Sequence, residues 1–141
     1  MIVIDASLAV KWYLDEPFAA EAIALLLAES PEISAPDLFA IEVTSALVRN
    51  GNMDKLWVVE AQRLIGRFVE LCQGGGVKLV RVSPTGIDMA AQLALQLGHP
   101  LKDCIYLALA MELGCDLVTC DASFAAKAKA VWAGVRVLGA G

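Results

Sequence analysis

The segment PLKDCIYLALAM, residues 100–111, predicts a strongly apolar helix that nevertheless carries an aspartate, Asp103, in its first turn. The run LVTCD, residues 117–121, is typical of a short buried strand and ends at Asp121. The chain opens with a similar run, MIVID, which ends at Asp5. Carboxylates therefore recur at the ends of the most apolar segments, and this recurrence guides the prediction of both fold and function.

Short apolar runs alternate with helical patterns along the chain. The runs lack a clean apolar–polar alternation, which is typical of strands that are covered on both faces. The predicted strands are Ile2–Ile4, Ile33–Ala35, Val77–Val82, Leu117–Thr119 and Val135–Val137, and the predicted helices are Ser7–Leu14, Ala19–Glu29, Leu38–Asn50, Asp54–Cys72, Ser83–Leu97 and Lys102–Leu113. Gly51 is predicted to end the third of these helices. Because a helix follows most strands, we expect an α/β fold in one domain, residues 1–141, with a central, mainly parallel sheet of about five short strands and helices on both faces.

The composition limits the class of protein. Apolar residues make up 58% of the 141 residues, but the longest uncharged run near the middle, Cys104–Met111, is far too short for a membrane helix. The N-terminus lacks the pattern of a secretory signal, and the four cysteines have no CxxC spacing. We therefore expect a cytoplasmic protein with reduced thiols and no membrane association.

The charge and the histidine content argue against two kinds of site. The formal net charge is −5, whereas proteins that bind nucleic acids are usually basic, so a nucleic-acid partner is a poor prediction from charge alone. The single histidine, His99, excludes any site that needs two. Its position before Pro100 predicts an ordinary surface histidine in a loop.

Four acidic residues have two competing interpretations. In open parallel sheets, ligands bind beyond the carboxyl ends of the strands, so Asp5, Asp103 and Asp121 could meet there with Glu42. Alternatively, Asp5 and Asp121 are helix N-caps, worth about 1 kcal/mol each, and Asp103 complements a helix dipole. Glu42 fits this alternative least, because it lies a full turn into an apolar helix. The pattern of acids alone leaves both interpretations open.

As a set, four short motifs resemble the PIN domain, and most closely the VapC-type toxins of toxin–antitoxin pairs. The motifs are IDAS at residues 4–7, AP and EV at the two ends of residues 35–43, LKDC at residues 101–104, and VTCD at residues 118–121 with Phe124 three residues later. They span essentially the whole chain in the order that the family shows. The resemblance implies a central parallel sheet flanked by helices and a metal-dependent ribonuclease activity.

The resemblance also implies roles for individual residues, all of them present in this chain. The family's catalytic and metal-binding acids correspond to Asp5, Glu42, Asp103 and Asp121, and its supporting hydroxyls correspond to Ser7 and Thr119.

Physical chemistry favours a dication among such acids. Two carboxylates about 4 Å apart repel by roughly 4 kcal/mol at an effective dielectric constant near 20. A cluster of them therefore takes up protons or binds a divalent cation, and an all-oxygen ligand set suits Mg²⁺ or Mn²⁺ better than Zn²⁺. For the same reason, Asp103→Asn is expected to raise the melting temperature of the metal-free protein.

The sequence also suggests partners. Lys11, Arg49 and Lys102 lie near the acids in the sequence and are candidate contacts for an RNA substrate, with ordinary solvated charges as the alternative interpretation. Two amphipathic helices, Ala19–Glu29 and Asp54–Cys72, are candidates for a homodimer face or for a groove that binds the antitoxin.

Two alternative functions remain open at this stage. The chain could be a PIN-like nuclease that has no antitoxin. It could also be a non-enzymatic α/β binding module with an acidic pocket, such as a phosphate-accepting receiver. The receiver is disfavoured because no lysine follows the last predicted strand where a receiver needs one.

Overall fold

A computed structural model of the chain describes residues 1–139. Within them, five parallel strands form one sheet in the order β3-β2-β1-β4-β5. The strands are β1 (Ile2–Ile4), β2 (Ile33–Pro36), β3 (Lys78–Val80), β4 (Asp116–Thr119) and β5 (Val135–Val137). The prediction of a short-stranded parallel sheet is confirmed.

Seven α-helices flank this sheet in the part of the chain that the structure describes, which confirms the α/β fold. They are α1 (Ala6–Val10), α2 (Ala19–Glu29), α3 (Leu38–Asn52), α4 (Val58–Gln73), α5 (Pro84–Leu97), α6 (Leu101–Leu113) and α7 (Ala122–Ala128), with a short 3₁₀ turn, Lys55–Trp57, before α4. No helix in residues 1–139 combines the length and the apolar character that a membrane span needs.

Several elements differ from the prediction, including the predicted strand Val77–Val82, of which only Lys78–Val80 forms β3. The first helix is shorter than predicted, because after Val10 the amides of residues 11–13 bond carbonyls three residues back and tighten the turn. The third helix continues through Gly51, which is needed for close packing: a Cβ at this position would lie 2.7 Å from Ala61 Cβ of α4. Helix α7 is an additional element that the sequence pattern did not predict.

The strand order creates a crevice beyond the carboxyl ends of the central strands. The order reverses at β1, which lies between β2 and β4, and such switch points form crevices beyond the carboxyl ends of the strands. In the register of β1 and β4, Ile4 is opposite Val118, so the residues that follow both strands leave the sheet side by side. Helix α6 packs against β1, β2 and β4, which brings its first turn to the same edge.

Candidate active site

Asp5 is the carboxylate that lies deepest in the site. It follows β1, caps α1 and is only 6% exposed. Its Oδ1 accepts hydrogen bonds from Ser7 Oγ at 2.7 Å and from the Leu8 amide at 3.2 Å, and its Oδ2 accepts one from Thr119 Oγ1. Burial raises the pKa of Asp5 to about 6 although these three hydrogen bonds lower it, and the charge of Asp103 makes the smallest contribution.

Thr119 connects Asp5 with Asp121. It is fully buried at the end of β4, and its hydroxyl donates to Asp5 while it accepts a hydrogen bond from the Asp121 amide at 3.0 Å. Asp121 caps α7, since its Oδ1 accepts a hydrogen bond from the Phe124 amide at 3.0 Å. Asp5 and Asp121 are therefore helix caps and members of one hydrogen-bonded group at the same time, so capping and site formation do not exclude each other.

Asp103 and Asp121 form a second group with His99. One ligand atom from each of the three residues lies within 4.8 Å of the others. Asp103 lies in the first turn of α6, and its Oδ2 is 2.6 Å from His99 Nε2. The interpretation of His99 as an ordinary surface histidine is wrong: its side chain is only 10% exposed, because the ring stacks on Phe124 with the centroids 4.7 Å apart.

Glu42 joins the site through Tyr106. Glu42 lies on α3, and its Oε1 accepts a hydrogen bond of 2.6 Å from the hydroxyl of Tyr106, a residue of α6 that is 1% exposed. Burial raises the pKa of this phenol, and so do the hydrogen bond to Glu42 and the charges of Asp5 and Asp103. Tyr106 thus lies within electrostatic reach of three of the four predicted acids, and the structure brings all four to one region.

Three of the carboxylates are each held by a single oxygen. Asp103 Oδ2, Asp121 Oδ1 and Glu42 Oε1 have the partners described above. The other oxygen of each carboxylate has no hydrogen-bond partner among residues 1–139. Anchored carboxylates that each leave one oxygen free are ligands that hard dications prefer. The donor set therefore fits Mg²⁺ or Mn²⁺.

The three predicted basic residues lie in different settings. Lys11 and Arg49 line the same surface depression as Asp121. Lys11 Nζ is 3.4 Å from Glu16 Oε1, so part of its charge is already paired. Lys102 is exposed in the first turn of α6.

Sequence reasoning missed His99 and Tyr106 as members of this site. Only Tyr106 carried a local signal, because it follows Asp103 by three residues within α6, whereas His99 precedes the helix. Residues at this spacing share one face of a helix. The contacts of Tyr106 with Glu42 and of His99 with α7 are long-range, however, and no local pattern predicts them.

The open parallel sheet, with acidic residues beyond the carboxyl ends of β1 and β4, defines the class: an α/β protein with a crevice at the switch point of its strand order, where such sheets generally bind ligands. The sequence model of the PIN domain family matches residues 2–130, and the chain therefore belongs to the PIN domain family. PIN domains are typically metal-dependent nucleases. A search of curated protein sequences gives no match to this chain.

Solved structures share this fold at low sequence identity. The toxin VapC20 of Mycobacterium tuberculosis, described as cleaving the sarcin–ricin loop, has a TM-score of 0.75 at 15% identity over 96% of this chain and 99% of that chain. A toxin–antitoxin complex from Klebsiella pneumoniae has a TM-score of 0.67 at 17% identity, with coverages of 96% and 95%. PAE2754 from Pyrobaculum aerophilum has a TM-score of 0.67 at 20% identity, with coverages of 97% and 88%. These similarities show a shared fold.

Proposed function

We propose that this protein is a Mg²⁺-dependent endoribonuclease and the toxin of a toxin–antitoxin pair. The observation that supports the proposal is a set of acidic residues joined by short contacts: Asp5 with Asp121 through Thr119, and Asp103 beside Asp121. Glu42 is bonded to Tyr106, whose pKa is also raised by the charges of Asp5 and Asp103. Membership of the PIN domain family supports the nuclease activity. The fold shared with VapC20 and with the chain from the Klebsiella complex supports the toxin role.

The four acids Asp5, Glu42, Asp103 and Asp121 are the proposed catalytic residues and metal ligands. A Mg²⁺ ion, or Mn²⁺ in its place, supplies positive charge for a phosphate oxygen and lowers the pKa of a bound water when it is present. Its charge would also favour the ionised form of Asp5, whose pKa is raised by burial.

The remaining residues of the site hold these acids in place. The hydroxyls of Ser7 and Thr119 fix both oxygens of Asp5, so the carboxylate has a single orientation before any ligand arrives. Tyr106 fixes one oxygen of Glu42 in the same way. Such pre-organisation reduces the rearrangement that ligand binding requires.

Lys11, Arg49 and Lys102 are proposed to contact the RNA backbone. The chain is acidic overall, so phosphate contacts must come from local charges. Lys11 and Arg49 share a depression with Asp121, which places both next to the proposed site of cleavage. The double variant Lys11→Ala, Arg49→Ala is expected to cleave RNA more weakly, and unchanged cleavage would remove these residues from the interface.

An antitoxin protein is the proposed regulatory partner, and the chain is proposed to form a homodimer. The start of α4 and the turn before it carry apolar side chains that are open to solvent, including Leu56 at 84% and Val59 at 75% exposure. Exposed apolar residues of this kind favour a protein interface. Either an amphipathic antitoxin segment or a second copy of the chain could cover them.

The nuclease proposal is tested on protein purified free of any partner. Cleavage of RNA is expected with Mg²⁺ and not with EDTA, and Asp103→Asn is expected to reduce it by at least about 100-fold, since removing a direct ligand should exceed the effect of losing an outer partner. Asp88→Asn, an exposed change on α5, is the matched control and should cleave normally.

Two results would contradict the proposal. Cleavage that persists in EDTA, or that survives in Asp103→Asn, would remove the role of the acidic site. Growth inhibition on expression, relieved by a co-expressed antitoxin, tests the toxin role separately. A chain that cleaves RNA without inhibiting growth would be a PIN-domain nuclease of another kind.

A further inference from the structure

The histidine of the site is held rigidly between two helices. Its side chain is nine-tenths buried, and its ring stacks on Phe124 of α7 at an interplanar angle of 29°. From this position His99 Nε2 lies 2.6 Å from Asp103 Oδ2, within the range of a strong hydrogen bond. A histidine fixed by stacking can in turn fix the carboxylate that it contacts.

Lys127 of α7 lies close to Nδ1, the ring nitrogen of His99 that does not contact Asp103. Its Nζ donates to the Gly98 carbonyl at 3.2 Å and lies 3.5 Å from His99 Nδ1, at the limit of a hydrogen bond. An ammonium group can only donate hydrogen bonds and an ionised carboxylate can only accept them, so the tautomer that suits both neighbours has Nδ1 as the acceptor. The hydrogen is then on Nε2, which donates it to Asp103.

We propose that Lys127 and His99 form a positioning chain for Asp103. Asp103 needs such support more than Asp5 does, because its side chain is 37% exposed and His99 is its single hydrogen-bond partner among residues 1–139. This arrangement of Lys127 and His99 fixes one oxygen of Asp103 and leaves the other oxygen free for a dication. Partners of metal ligands commonly act in this way, by orienting the ligand and tuning its basicity.

This inference rests on the proposed metal-dependent function, because Asp103 is taken to be a metal ligand. The alternative is that His99 itself binds the ion, since its ring lies within 4.8 Å of Asp103 and Asp121. We favour positioning because Nε2, the nitrogen that faces the acids, carries a hydrogen in this arrangement and is engaged with Asp103.

The test measures binding of Mn²⁺ to the purified chain by calorimetry and by electron paramagnetic resonance, without RNA. His99→Ala is expected to weaken Mn²⁺ binding about 10- to 100-fold, as is common when an outer partner of a ligand is removed. His99→Gln is expected to restore most of the affinity, because the side-chain amide can donate a hydrogen bond from nearly the same place.

A matched pair of lysine variants tests the contribution of Lys127 to the positioning of Asp103. Lys127→Met is expected to weaken Mn²⁺ binding by a smaller factor than His99→Ala. Lys129→Met removes the same charge two residues later and should leave binding unchanged. Thermal unfolding in EDTA shows whether each variant is folded, so that a loss of binding is not confused with a loss of structure.

Different results overturn the inference and the proposed function. Full Mn²⁺ affinity in His99→Ala would reduce His99 to a packing residue. Hyperfine coupling of bound Mn²⁺ to a histidine nitrogen would make His99 a ligand, which also overturns positioning. Failure of the unmodified chain to bind Mn²⁺ would overturn both, whereas normal binding without RNA cleavage would overturn the nuclease function alone.

Discussion

The carboxylates of Asp5 and Asp103 lie at the same edge of the sheet, but the protein holds them in different ways. Asp5 is 6% exposed and accepts hydrogen bonds from two hydroxyls and a backbone amide. Asp103 has a side chain that is 37% exposed, and it contacts His99. The site therefore has a closed half around Asp5 and Thr119, and an open half around Asp103, His99 and Asp121.

This difference shows where the free-energy cost of the site lies. The sequence suggested that repulsion between neighbouring carboxylates would dominate. In the structure, burial is the largest cause of the raised pKa of Asp5, and the charge of Asp103 is the smallest. The cost is therefore concentrated in the closed half and comes mainly from loss of solvent, while the open half remains accessible to a ligand.

The largest effect is expected from Asp5→Asn in the absence of metal. Because the pKa of Asp5 rises from 3.8 to about 6 on folding, the folded protein binds more protons than the unfolded chain in this window. Stability therefore falls as the pH rises from about 4 to about 6, and it stays lower above that range. Asp5→Asn removes this pH-dependent loss, which corresponds to at most about 3 kcal/mol near pH 7. Because the amide NH2 group cannot accept the hydrogen bonds of the oxygen that it replaces, the quantity to compare is the difference in stability gain between two pH values.

Urea unfolding in EDTA at two pH values checks this expectation. The variant should gain most of its stability near pH 7 and little near pH 4, where Asp5 of the folded protein is already protonated. Asp88→Asn, on an exposed turn of α5, is the control for a general charge effect. A gain of the same size at both pH values would show that burial of the ionised carboxylate is not the cause.

A smaller effect, a decrease in the free energy of unfolding, is expected when the hydroxyl of Thr119 is removed from the closed half. Thr119→Val keeps the shape of the side chain but leaves Asp5 Oδ2 and the Asp121 amide without this partner. We expect a loss of about 1–3 kcal/mol in the free energy of unfolding, as is usual for buried polar groups left unpaired. The measurement is denaturant unfolding in EDTA.

Two further variants show whether burial sets the size of this loss. Thr119→Ser keeps the hydroxyl and should recover most of the stability. Ser7→Ala removes a donor to the same carboxylate from an exposed position, so its cost should be smaller, about 0.5–1.5 kcal/mol. Equal losses in Thr119→Val and Ser7→Ala would show that burial of the hydroxyl does not set the size of the loss.

The sequence predicted the five strands because each is short, contains apolar residues and is bounded by helical patterns, although Lys78 of β3 and Arg136 of β5 are exposed. Helix α7 was missed for a physical reason: it has only seven residues, and several of them are alanines that set no clear apolar face. Gly51 was taken as a helix end because glycine is common there, whereas its real role, close packing on Ala61, depends on a contact across two helices.

The sequence and its family resemblance pointed to the four acids and to the hydroxyls of Ser7 and Thr119, but not to the contacts of Tyr106 and His99. Asp5 and Asp121 each follow a strand-like run, and this position is visible in the linear order. The bond between Tyr106 and Glu42 joins residues 64 positions apart, and the contact of His99 with Lys127 spans 28. Such pairs depend on how α3, α6 and α7 pack, which apolar patterns do not specify.

The smallest effect on stability is expected from Asp103→Asn, which makes in the open half the aspartate-to-asparagine change that Asp5→Asn makes in the closed half. Removing this charge should raise the metal-free melting temperature, because it relieves the repulsion that contributes to the raised pKa of Asp5. The asparagine oxygen can still accept the hydrogen bond from His99, so no contact is lost. Since the side chain is 37% exposed and its charge is screened by water, the gain should stay below about 1 kcal/mol. Thermal unfolding in EDTA beside Asp5→Asn decides the matter: equal gains in the two variants would mean that repulsion across the site, and not burial of Asp5, controls the stability of the metal-free protein.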